Sequence, residues 1–331
     1  MRLLLVYQDP RLASSRIRIQ RMAPYLEALG ARCEVVPYPN SWRVKRELLY
    51  RAAHADAVVL QRKLPSYLDA VWWRFVRRPV VFDFDDAIMF RDDAAGSHVS
   101  RTRRARFERT RRICAAFICG NEYLAAFVAG SGKPVLVAAS PVPADVPRRP
   151  QTLQSGPARI GWIGSKGNLH SLVGLGGALR RLAREHDFIL TVIADAAPQI
   201  DGCRIEHVPW KLETQEAELA RLDIGVMPLI DSPWTRGKCA YKLLQYMAAE
   251  VAVVASPVGM NATVVANGEN GLLAASEDEW VTAIGRLLAD GRLRARLAAA
   301  GRRTVESGYT YQAVSRRWME FVAAVAHASP V

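Results

Sequence analysis

Short apolar runs of strand length alternate with helix-length segments along the whole chain, and turn-forming residues separate them. This alternation predicts parallel sheets joined by crossover helices. In the first half of the chain, strands are expected at residues 3–8, 32–38, 56–61, 79–84, 115–120 and 134–138. Helices are expected between them, near residues 15–29, 42–53, 66–77, 100–112 and 121–130. The first half is therefore expected to form an α/β domain.

A proline-rich stretch, SPVPADVPRRPQTLQSGPA at residues 140–158, interrupts this alternation and predicts a linker. Beyond it, strands are expected at residues 158–164, 188–194, 203–210, 224–229 and 251–256. Helices are expected at residues 168–185, 214–222 and 238–249, and twice between 277 and 299. With 331 residues, the chain is long enough for two domains that each bury a core. We predict two Rossmann-like, doubly wound domains, residues 1–150 and 157–309, that face a cleft and bind ligands at the carboxyl ends of strands.

The last segment, YQAVSRRWMEFVAAVAHA, has Val314, Trp318, Phe321 and Val325 at helical spacing. Such a stripe predicts a helix over residues 310–328 that packs through its apolar side.

Cysteine content and hydropathy indicate the cellular compartment in which the protein is expected. The apolar run near the N-terminus spans five residues, which is too short for a signal-peptide core, and no later run reaches the length of a membrane span. The five cysteines include no C-x-x-C pair, so a disulfide framework or a zinc site is not expected. We expect a protein of the cytoplasm or of the inner membrane face.

The net charge of +13 is concentrated in the first half of the chain. Residues 1–155 contain 26 Lys and Arg against 14 Asp and Glu, while the remaining residues contain 19 against 18. This asymmetry indicates a phosphate-rich partner: an anionic membrane surface, a phosphorylated substrate or nucleic acid. An arginine-rich proteome and a solvated basic face are the alternatives. Nucleic acid is disfavoured because the basic segment 101–112 contains a single aromatic residue, Phe107, and no recognition module is present.

Three short motifs resemble ligand sites. AGSGKP at 129–134 and GLGGA at 174–178 lack the residues or the strand context that a phosphate loop or dinucleotide fingerprint requires. FDFDD at 82–86 could hold magnesium through two or three carboxylates, and this metal interpretation stays open as the minor alternative.

The segment GKCAYKLLQYMA at 237–248 carries the strongest local signal. A helix that starts at Lys238 would place Lys238, Lys242 and Gln245 on one polar face without negative charge. Its N-terminus would present free backbone N–H groups beside Arg236 and Gly237, which favours an anion such as a diphosphate. An exposed amphipathic helix is the alternative.

The sequence that follows, VAVVASPVGMNATVVANGENGLL, gives a strand, a glycine turn, a helix start and a second turn. This arrangement resembles the C-terminal half of retaining glycosyltransferases of the GT-B fold, in particular glycosyltransferase family 4. Further segments resemble the same family in both halves: ARIGWIGSKGNLHSL, LDIGVMPL, SSRIRIQRMAPYLEALG, VVLQRKLP, VVFDFDDAI and CGNEYLAAF.

The resemblance implies transfer of a sugar, with retention, from a nucleoside diphosphate sugar to the hydroxyl of a glycan or lipid-linked acceptor. It implies no cofactor, and we expect cationic side chains to replace a metal. The resemblance also implies a C-terminal helix that crosses back to the first domain. The expected donor-binding residues are Gly164, Ser165, Lys166, Arg236, Gly237, Lys238, Lys242, Gln245 and Asn261. The expected catalytic residues are Asp85, Asp86 and Lys242, and the expected acceptor-binding residues are Arg11, Arg16 and Arg18.

Two positions depart from the family pattern. Gly237 and Gln245 stand where the family has glutamates that contact the sugar hydroxyls and the ribose. A catalytically degenerate nucleotide-binding partner of the same fold therefore remains an alternative to an active enzyme, and a nucleic-acid-binding protein is a third.

Overall fold

The computed structural model of the chain describes residues 1–93, 95–150 and 156–328. It divides into two compact units. The first comprises Met1–Pro141, Ser232–Cys239 and the residues from Tyr311 onward, and the second comprises Val142–Asp231 and Ala240–Thr310. These boundaries differ from the predicted 1–150 and 157–309, most clearly at the short segment 232–239. The predicted linker includes residues 151–155, which lie outside the described residues.

A parallel sheet forms the centre of the first unit. Its strands are β1 (Arg2–Tyr7), β2 (Arg32–Pro37), β3 (Ala57–Gln61), β4 (Val80–Phe84), β5 (Ala116–Cys119) and β6 (Val135–Val137). They are arranged in the order β2-β1-β3-β4-β5-β6, and all their pairs are parallel. Every residue of β3 and β4 is buried, as expected for strands covered on both faces.

Helices connect these strands. They are α1 (Ala13–Ser15), α2 (Ala23–Ala28), α3 (Trp42–His54), α4 (Tyr67–Trp73), α5 (Arg101–Ile113) and α6 (Glu122–Ala129). The helix expected near residues 15–29 is present, and a π-helical segment, Arg16–Gln20, lies between α1 and α2. Pro24 lies in the first turn of α2, where its missing N–H is tolerated.

The second unit repeats this design. Its strands are β7 (Ala158–Gly164), β8 (Phe188–Ala194), β9 (Ile205–Pro209), β10 (Ile224–Met227), β11 (Ala252–Ala255) and β12 (Leu272–Leu273), in the order β12-β11-β10-β7-β8-β9. Its helices are α7 (Leu169–Gly174), α8 (Gly176–Leu182), α9 (Gln215–Leu219), α10 (Tyr241–Ala248), α11 (Asn261–Val264), α12 (Glu277–Ala289) and α13 (Gly291–Gly308). The helix expected over residues 168–185 is therefore two helices that meet at Leu175.

In each sheet the chain winds outward from a central strand and then changes direction. The change falls between β1 and β3 in the first sheet and between β7 and β10 in the second. The predicted pair of doubly wound parallel sheets is thus confirmed. Ligands of such sheets bind beyond the carboxyl ends of the strands at these points.

The last helix, α14 (Tyr311–Ala328), belongs to the first unit. The Tyr311 hydroxyl donates to the Ile17 carbonyl at 3.2 Å, and the Tyr311 ring stacks on Tyr25 with 4.9 Å between centroids. Its apolar stripe is buried as predicted, except that Val322 takes the buried place expected for Phe321. None of the helices within the described residues has the length and apolarity of a membrane span.

Candidate active site

Two adjacent carboxylates, Asp85 and Asp86, directly follow β4 in the first unit. Their side chains are 11% and 16% exposed. Arg62, which directly follows β3, donates through Nη1 to Asp85 Oδ1 at 3.4 Å and to Asp86 Oδ2. Because β3 and β4 are parallel neighbours, their carboxyl ends bring the three side chains to one edge of the sheet.

Arg62 adopts a backbone conformation that non-glycine residues rarely take. Its φ is 60°, and its N–H donates to the carbonyl of Asp83 at 2.7 Å. A left-handed conformation costs roughly 1–3 kcal/mol when the surroundings enforce it, and such residues cluster at functional sites. Here the strained residue supplies the cation that links two carboxylates.

Lys238 is the second cation of this cluster. Its Nζ lies 3.1 Å from Asp86 Oδ1 and 4.7 Å from the centroid of the Trp234 ring. Asp86 is therefore paired with Lys238 and Arg62, two cations from different parts of the sequence. We call Arg62, Asp85, Asp86 and Lys238 the carboxylate cluster.

Several contacts fix the segment that carries Lys238. The Asn121 amide donates to the carbonyls of Arg236 and Lys238, both at 3.0 Å. The Cys239 thiol donates to the Asp85 carbonyl at 3.0 Å. The segment is thus attached to the same strand end as the carboxylates.

The glycine of this segment is required by packing. A Cβ at Gly237 would lie 2.7 Å from both the Cβ and the backbone nitrogen of Ala87, closer than side-chain atoms approach. The missing side chain at Gly237 therefore allows a close approach to the protein's own backbone.

The prediction of a helix that begins at Lys238 is wrong. Lys238 is extended, with φ −70° and ψ 142°, Ala240 is left-handed with φ 51°, and α10 begins at Tyr241. Lys238 thus does not share a helix face with Lys242 and Gln245.

The two carboxylates differ in their protonation. Burial raises the pKa of Asp85, and the neighbouring charge of Asp86 raises it further. Burial also opposes ionisation of Asp86, but Lys238 and Arg62 outweigh it and lower the pKa of Asp86. Asp86 therefore loses its proton first as the pH rises, and Asp85 keeps its proton longer.

Arg18, predicted to bind the acceptor, is fully buried. It forms an ion pair with Asp83 at 2.5 Å, donates to the Ala138 carbonyl at 3.0 Å and lies over the Trp318 ring. Burial outweighs the attraction of Arg18 and raises the pKa of Asp83 to about 6. Arg18 has no exposed surface for an acceptor, and we do not retain it as an acceptor contact.

This pair also bears on the metal interpretation of FDFDD. The Asp83 carboxylate is bound by Arg18 on both oxygens, so it is not available as a magnesium ligand without breaking that pair. Within the residues that the structure describes, no group of three or more His, Cys, Asp or Glu is arranged to hold a metal ion. The expected independence from metal remains a prediction.

The other two predicted acceptor contacts lie nearer the surface. The Arg11 side chain is exposed and pairs with Asp9 at 2.8 Å, and this hydrogen bond lowers the pKa of Asp9 to about 2. Arg16 is half-buried and begins the π-helical segment. Their predicted role in acceptor binding stays a prediction.

In the second unit, Lys242 lies beside the carboxyl end of β7. Its Nζ is 4.0 Å from the centroid of the buried Trp162 ring. A Cβ at Gly164 would lie 2.3 Å from the Trp162 ring and 2.7 Å from the Lys242 Nζ, so this position accepts only glycine. One turn later in α10, the Tyr246 hydroxyl accepts the Ile163 N–H at 2.9 Å and fixes the helix to β7.

The predicted glycine loop follows directly. Ser165 and Lys166 are exposed, and Ser165 Oγ accepts from the Asn168 amide at 3.0 Å. The Lys166 N–H donates to Asp195, which follows β8. The structure therefore brings Gly164, Ser165, Lys166 and Lys242 to the strand end where the second sheet changes direction.

Asn261 is buried at the start of α11. Its Nδ2 donates to the Ser256 carbonyl at 3.1 Å, while its Oδ1 has no hydrogen-bond partner among the described residues. A buried acceptor without a partner is costly, so this oxygen is suited to receive a ligand hydroxyl or a water.

Gln245 faces a small cavity of about 10 Å³ whose lining includes Glu216, Leu219 and Val142. The side chain is 8% exposed. A cavity of that volume admits about one water, not a ribose. The predicted contact between Gln245 and the donor ribose stays a prediction.

Sequence reasoning missed Arg62, Asn121, Trp162 and Trp234. Arg62 lies in VVLQRKLP directly after β3, and Asn121 lies in CGNEYLAAF two residues after β5. The position of a polar residue just after a buried strand was the available signal for both. The two tryptophans are apolar residues in sequence, and their contacts with lysines need the fold.

Comparison with known families decides the assignment of the second unit. Residues 158–290 match the family profile of Glycosyl transferases group 1. The second unit is a group 1 glycosyltransferase domain. The predicted resemblance is thereby confirmed, and the matched range begins at the first residue of β7 and ends just after α12. No curated protein sequence matches the chain.

Solved structures match the chain over almost its whole length. A sucrose-phosphate synthase from Thermosynechococcus elongatus gives a TM-score of 0.73 at 14% identity, covering 99% of this chain and 100% of that one. HepE of Anabaena in complex with UDP gives 0.73 at 15% identity, covering 98% and 100%. The lipopolysaccharide outer core galactosyltransferase WaaB gives 0.64 at 11% identity, covering 98% and 99%. The likeness is one of fold, and it confirms the predicted GT-B fold.

Proposed function

We propose that the protein transfers a sugar, with retention, from a nucleoside diphosphate sugar to an acceptor hydroxyl, in the synthesis of a cell-surface polysaccharide or glycolipid. The second unit binds the donor and the first unit binds the acceptor. The observation that carries this proposal is the position of Lys242 beside Gly164, at the strand end of a group 1 glycosyltransferase domain.

The strand end of β7 suits a diphosphate. The side-chain position of Gly164 is occupied by the Trp162 ring and the Lys242 Nζ, and the exposed Ser165 and Lys166 follow it. Lys242 supplies a full positive charge beside this loop, and the buried Trp162 ring holds its ammonium in place. HepE has been solved with UDP and with UDP-glucose, which makes uridine diphosphate sugars the first donors to test.

The reaction needs no protein nucleophile. The bond between the anomeric carbon and the diphosphate oxygen breaks, the bond to the acceptor oxygen forms on the same face, and the departing phosphate oxygen takes the acceptor's proton. The protein stabilises the charge that grows on the diphosphate, and Lys242 and Lys166 are the cations for this task. This arrangement requires no metal ion.

The carboxylate cluster orients the acceptor in our proposal. Asp86, kept ionised by Lys238 and Arg62, accepts a hydrogen bond from an acceptor hydroxyl, and Asp85 lies beside it in the same cluster. Lys238 acts as a positioning residue for Asp86 and is no longer assigned to the donor. Arg236 and Gly237 were expected to bind the donor at a helix N-terminus. Because α10 begins only at Tyr241, that argument for their donor roles no longer applies.

A nucleotide-binding protein without activity is the second candidate, and one observation favours it. The space beside Gly237 is filled by Ala87, so the segment cannot house the glutamate that the family pattern has there. Release of the free nucleoside diphosphate from a sugar nucleotide, even by slow hydrolysis, would exclude this candidate.

A thermal-shift panel of nucleoside diphosphates and their sugars tests the donor site. A ligand at a hundred times its dissociation constant adds about 2.7 kcal/mol of stability. Lys242→Ala is expected to weaken binding of the stabilising nucleotide by about 10-fold to 150-fold, because a hydrogen bond to a charged group contributes about 1.5–3 kcal/mol.

Gln245→Ala is the matched control, since Gln245 lies on the next turn of α10 but faces the small cavity. It is expected to weaken nucleotide binding much less than Lys242→Ala does. No stabilisation by any nucleotide, or equal small effects of the two substitutions, would contradict the proposed donor site.

A further inference from the structure

Helix α4 exposes an apolar face to solvent. Leu68 and Phe75 are 70% and 79% exposed, whereas Ala70 and Trp73 on the opposite side are buried. After Trp73 the chain continues with hydrogen bonds of the i to i+3 type, which align Phe75 with Trp72. We call the exposed apolar residues of this segment the α4 face: Tyr67, Leu68, Val71, Trp72 and Phe75.

Basic residues flank the α4 face on one side. Helix α5 packs beside α4, and its residues 101–112 carry seven arginines against one glutamate. Arg101, Arg104 and Arg106 are exposed there. At the end of α4, Arg74 and Arg77 are exposed as well. Residues 42–78 as a whole carry nine Lys and Arg against three Asp and Glu.

Helix α3 extends the surface on the other side. Lys45 of α3 pairs with Asp69 of α4 at 2.7 Å, which holds the first turns of the two helices together. Trp42 lies one turn before Lys45 and is 59% exposed. The α4 face therefore lies between an exposed tryptophan and a row of arginines.

We infer that the α4 face and the arginines of α5 form a docking surface for an anionic lipid bilayer. Tryptophan and tyrosine side chains favour the boundary between lipid headgroups and acyl chains, and leucine and phenylalanine reach below it. Exposed Lys and Arg near such a membrane each contribute about 1 kcal/mol of attraction to anionic lipids. Large exposed apolar patches mark interaction sites. The α4 face is such a patch, and its neighbouring charges are mainly positive, as an anionic bilayer requires.

The surface also lies near the carboxylate cluster. Helix α4 begins at Tyr67, five residues after Arg62, at the same end of the sheet. A bilayer bound by the α4 face would hold lipid-linked acceptors near Asp85 and Asp86; this step alone rests on the proposed function. Binding of the bilayer itself does not.

Vesicle co-sedimentation of the purified full chain tests the inference, with phosphatidylcholine vesicles prepared with and without phosphatidylglycerol. The wild type is expected to bind the anionic vesicles and to dissociate in high salt. Replacing both Leu68 and Phe75 by serine is expected to weaken binding about tenfold or more, since both side chains lose their contact with the acyl region. Replacing both Arg101 and Arg104 by glutamine is expected to weaken it about thirtyfold.

Val173→Ser is the matched control for the apolar substitutions, because Val173 is an exposed helical residue of the second unit. It is expected to leave vesicle binding unchanged, and thermal unfolding checks that each variant is folded. Absence of vesicle binding by the wild type, or equal binding by all variants, would overturn the inference. The inference would also be overturned if the wild type formed a dimer that the Leu68/Phe75 serine variant cannot form. Binding to duplex nucleic acid that only the Arg101/Arg104 glutamine variant loses would overturn it as well. The co-sedimentation assay contains no sugar nucleotide, so its outcome is independent of the thermal-shift panel that tests the donor site.

Discussion

Replacing Lys238 by methionine removes one of the two cations that keep Asp86 ionised and preserves the length of the side chain. The Lys238 Nζ lies 3.1 Å from Asp86 Oδ1. At that separation and an effective dielectric constant of about 20, the Coulomb attraction is roughly 5 kcal/mol. The two side chains are 25% and 16% exposed and Arg62 remains in place, so we expect a net loss of about 1–2 kcal/mol.

The sign of the pH effect follows from the direction of the pKa shift. The pKa of Asp86 is lowered in the folded protein, so its ionisation stabilises the fold above the ordinary pKa of 3.8 and this contribution is lost as the pH falls through the lowered value. Without Lys238, the carboxylate takes up a proton at higher pH. Since about 1.4 kcal/mol corresponds to one pH unit, the acid limb of kcat/KM is expected to move up by about one unit in Lys238→Met.

The assay is release of nucleoside diphosphate from the donor that the binding panel identifies, with an acceptor, across the acid limb. Lys242→Ala is the comparison, because it removes a cation from the second unit and is expected to reduce activity without moving the limb. An unchanged limb in Lys238→Met would refute the role of Asp86 as the ionised acceptor contact. An equal displacement in both variants would show that the limb reports another group.

Three further substitutions test local features of the structure. Gly237→Ala is expected to destabilise the fold by about 1–3 kcal/mol, because the new Cβ would lie 2.7 Å from backbone and side-chain atoms; unchanged urea unfolding would contradict this close contact. Gln245→Glu would place a second carboxylate in the cavity that Glu216 lines, so we expect a loss of about 1–2 kcal/mol at neutral pH that shrinks in acid; a rise in donor affinity without that loss would show that residue 245 faces the ligand. Arg18→Met is expected to cost about 3–5 kcal/mol at neutral pH, because it leaves Asp83 buried without its partner. That loss should decrease as the pH falls toward about 6, the pKa of Asp83 beside Arg18, and should level off below it, because the carboxyl is then protonated in both proteins; a loss independent of pH above 6 would contradict the assignment.

The strands were the most predictable part of the fold. The strands β3 and β4 begin with apolar runs, AVVL and VVF, and both are buried on all their residues. Such runs belong to parallel sheets covered on both faces, so composition alone locates them. The expected strands 158–164 and 188–194 coincide with β7 and β8.

The start of α10 could not be predicted from the sequence. Periodicity favours a helix through Lys238, but Asn121 binds the carbonyls of Arg236 and Lys238 and holds this segment in another conformation. Asn121 lies more than a hundred residues away, and its two hydrogen bonds are tertiary contacts. Local propensity was overridden there, as it is wherever long-range partners satisfy the backbone better than a helix would.

Part of the candidate site was predictable for a simple reason. Asp85 and Asp86 directly follow a buried strand, so their place at the edge of the sheet is a consequence of topology, and Lys242 lies in the first turn of α10. Their partners are not: Arg62, Trp162 and Trp234 become identifiable only when the strands are ordered. The burial of Arg18 was not predictable, because sequence cannot distinguish a surface arginine from one that neutralises a buried aspartate.

The cations of the first half fall into two groups, and only one of them contributes to the surplus of positive charge. Arg18 forms an ion pair with Asp83, and Arg62 forms ion pairs with Asp85 and Asp86. These two arginines therefore balance the carboxylates of the FDFDD motif inside the first unit. Much of the surplus of positive charge lies on α5, where residues 101–112 carry seven arginines against one glutamate, and at the end of α4, where Arg74 and Arg77 are exposed. The surplus of positive charge in the first half therefore indicates the docking surface. The chemistry at the strand ends depends on cations that the net charge does not reveal.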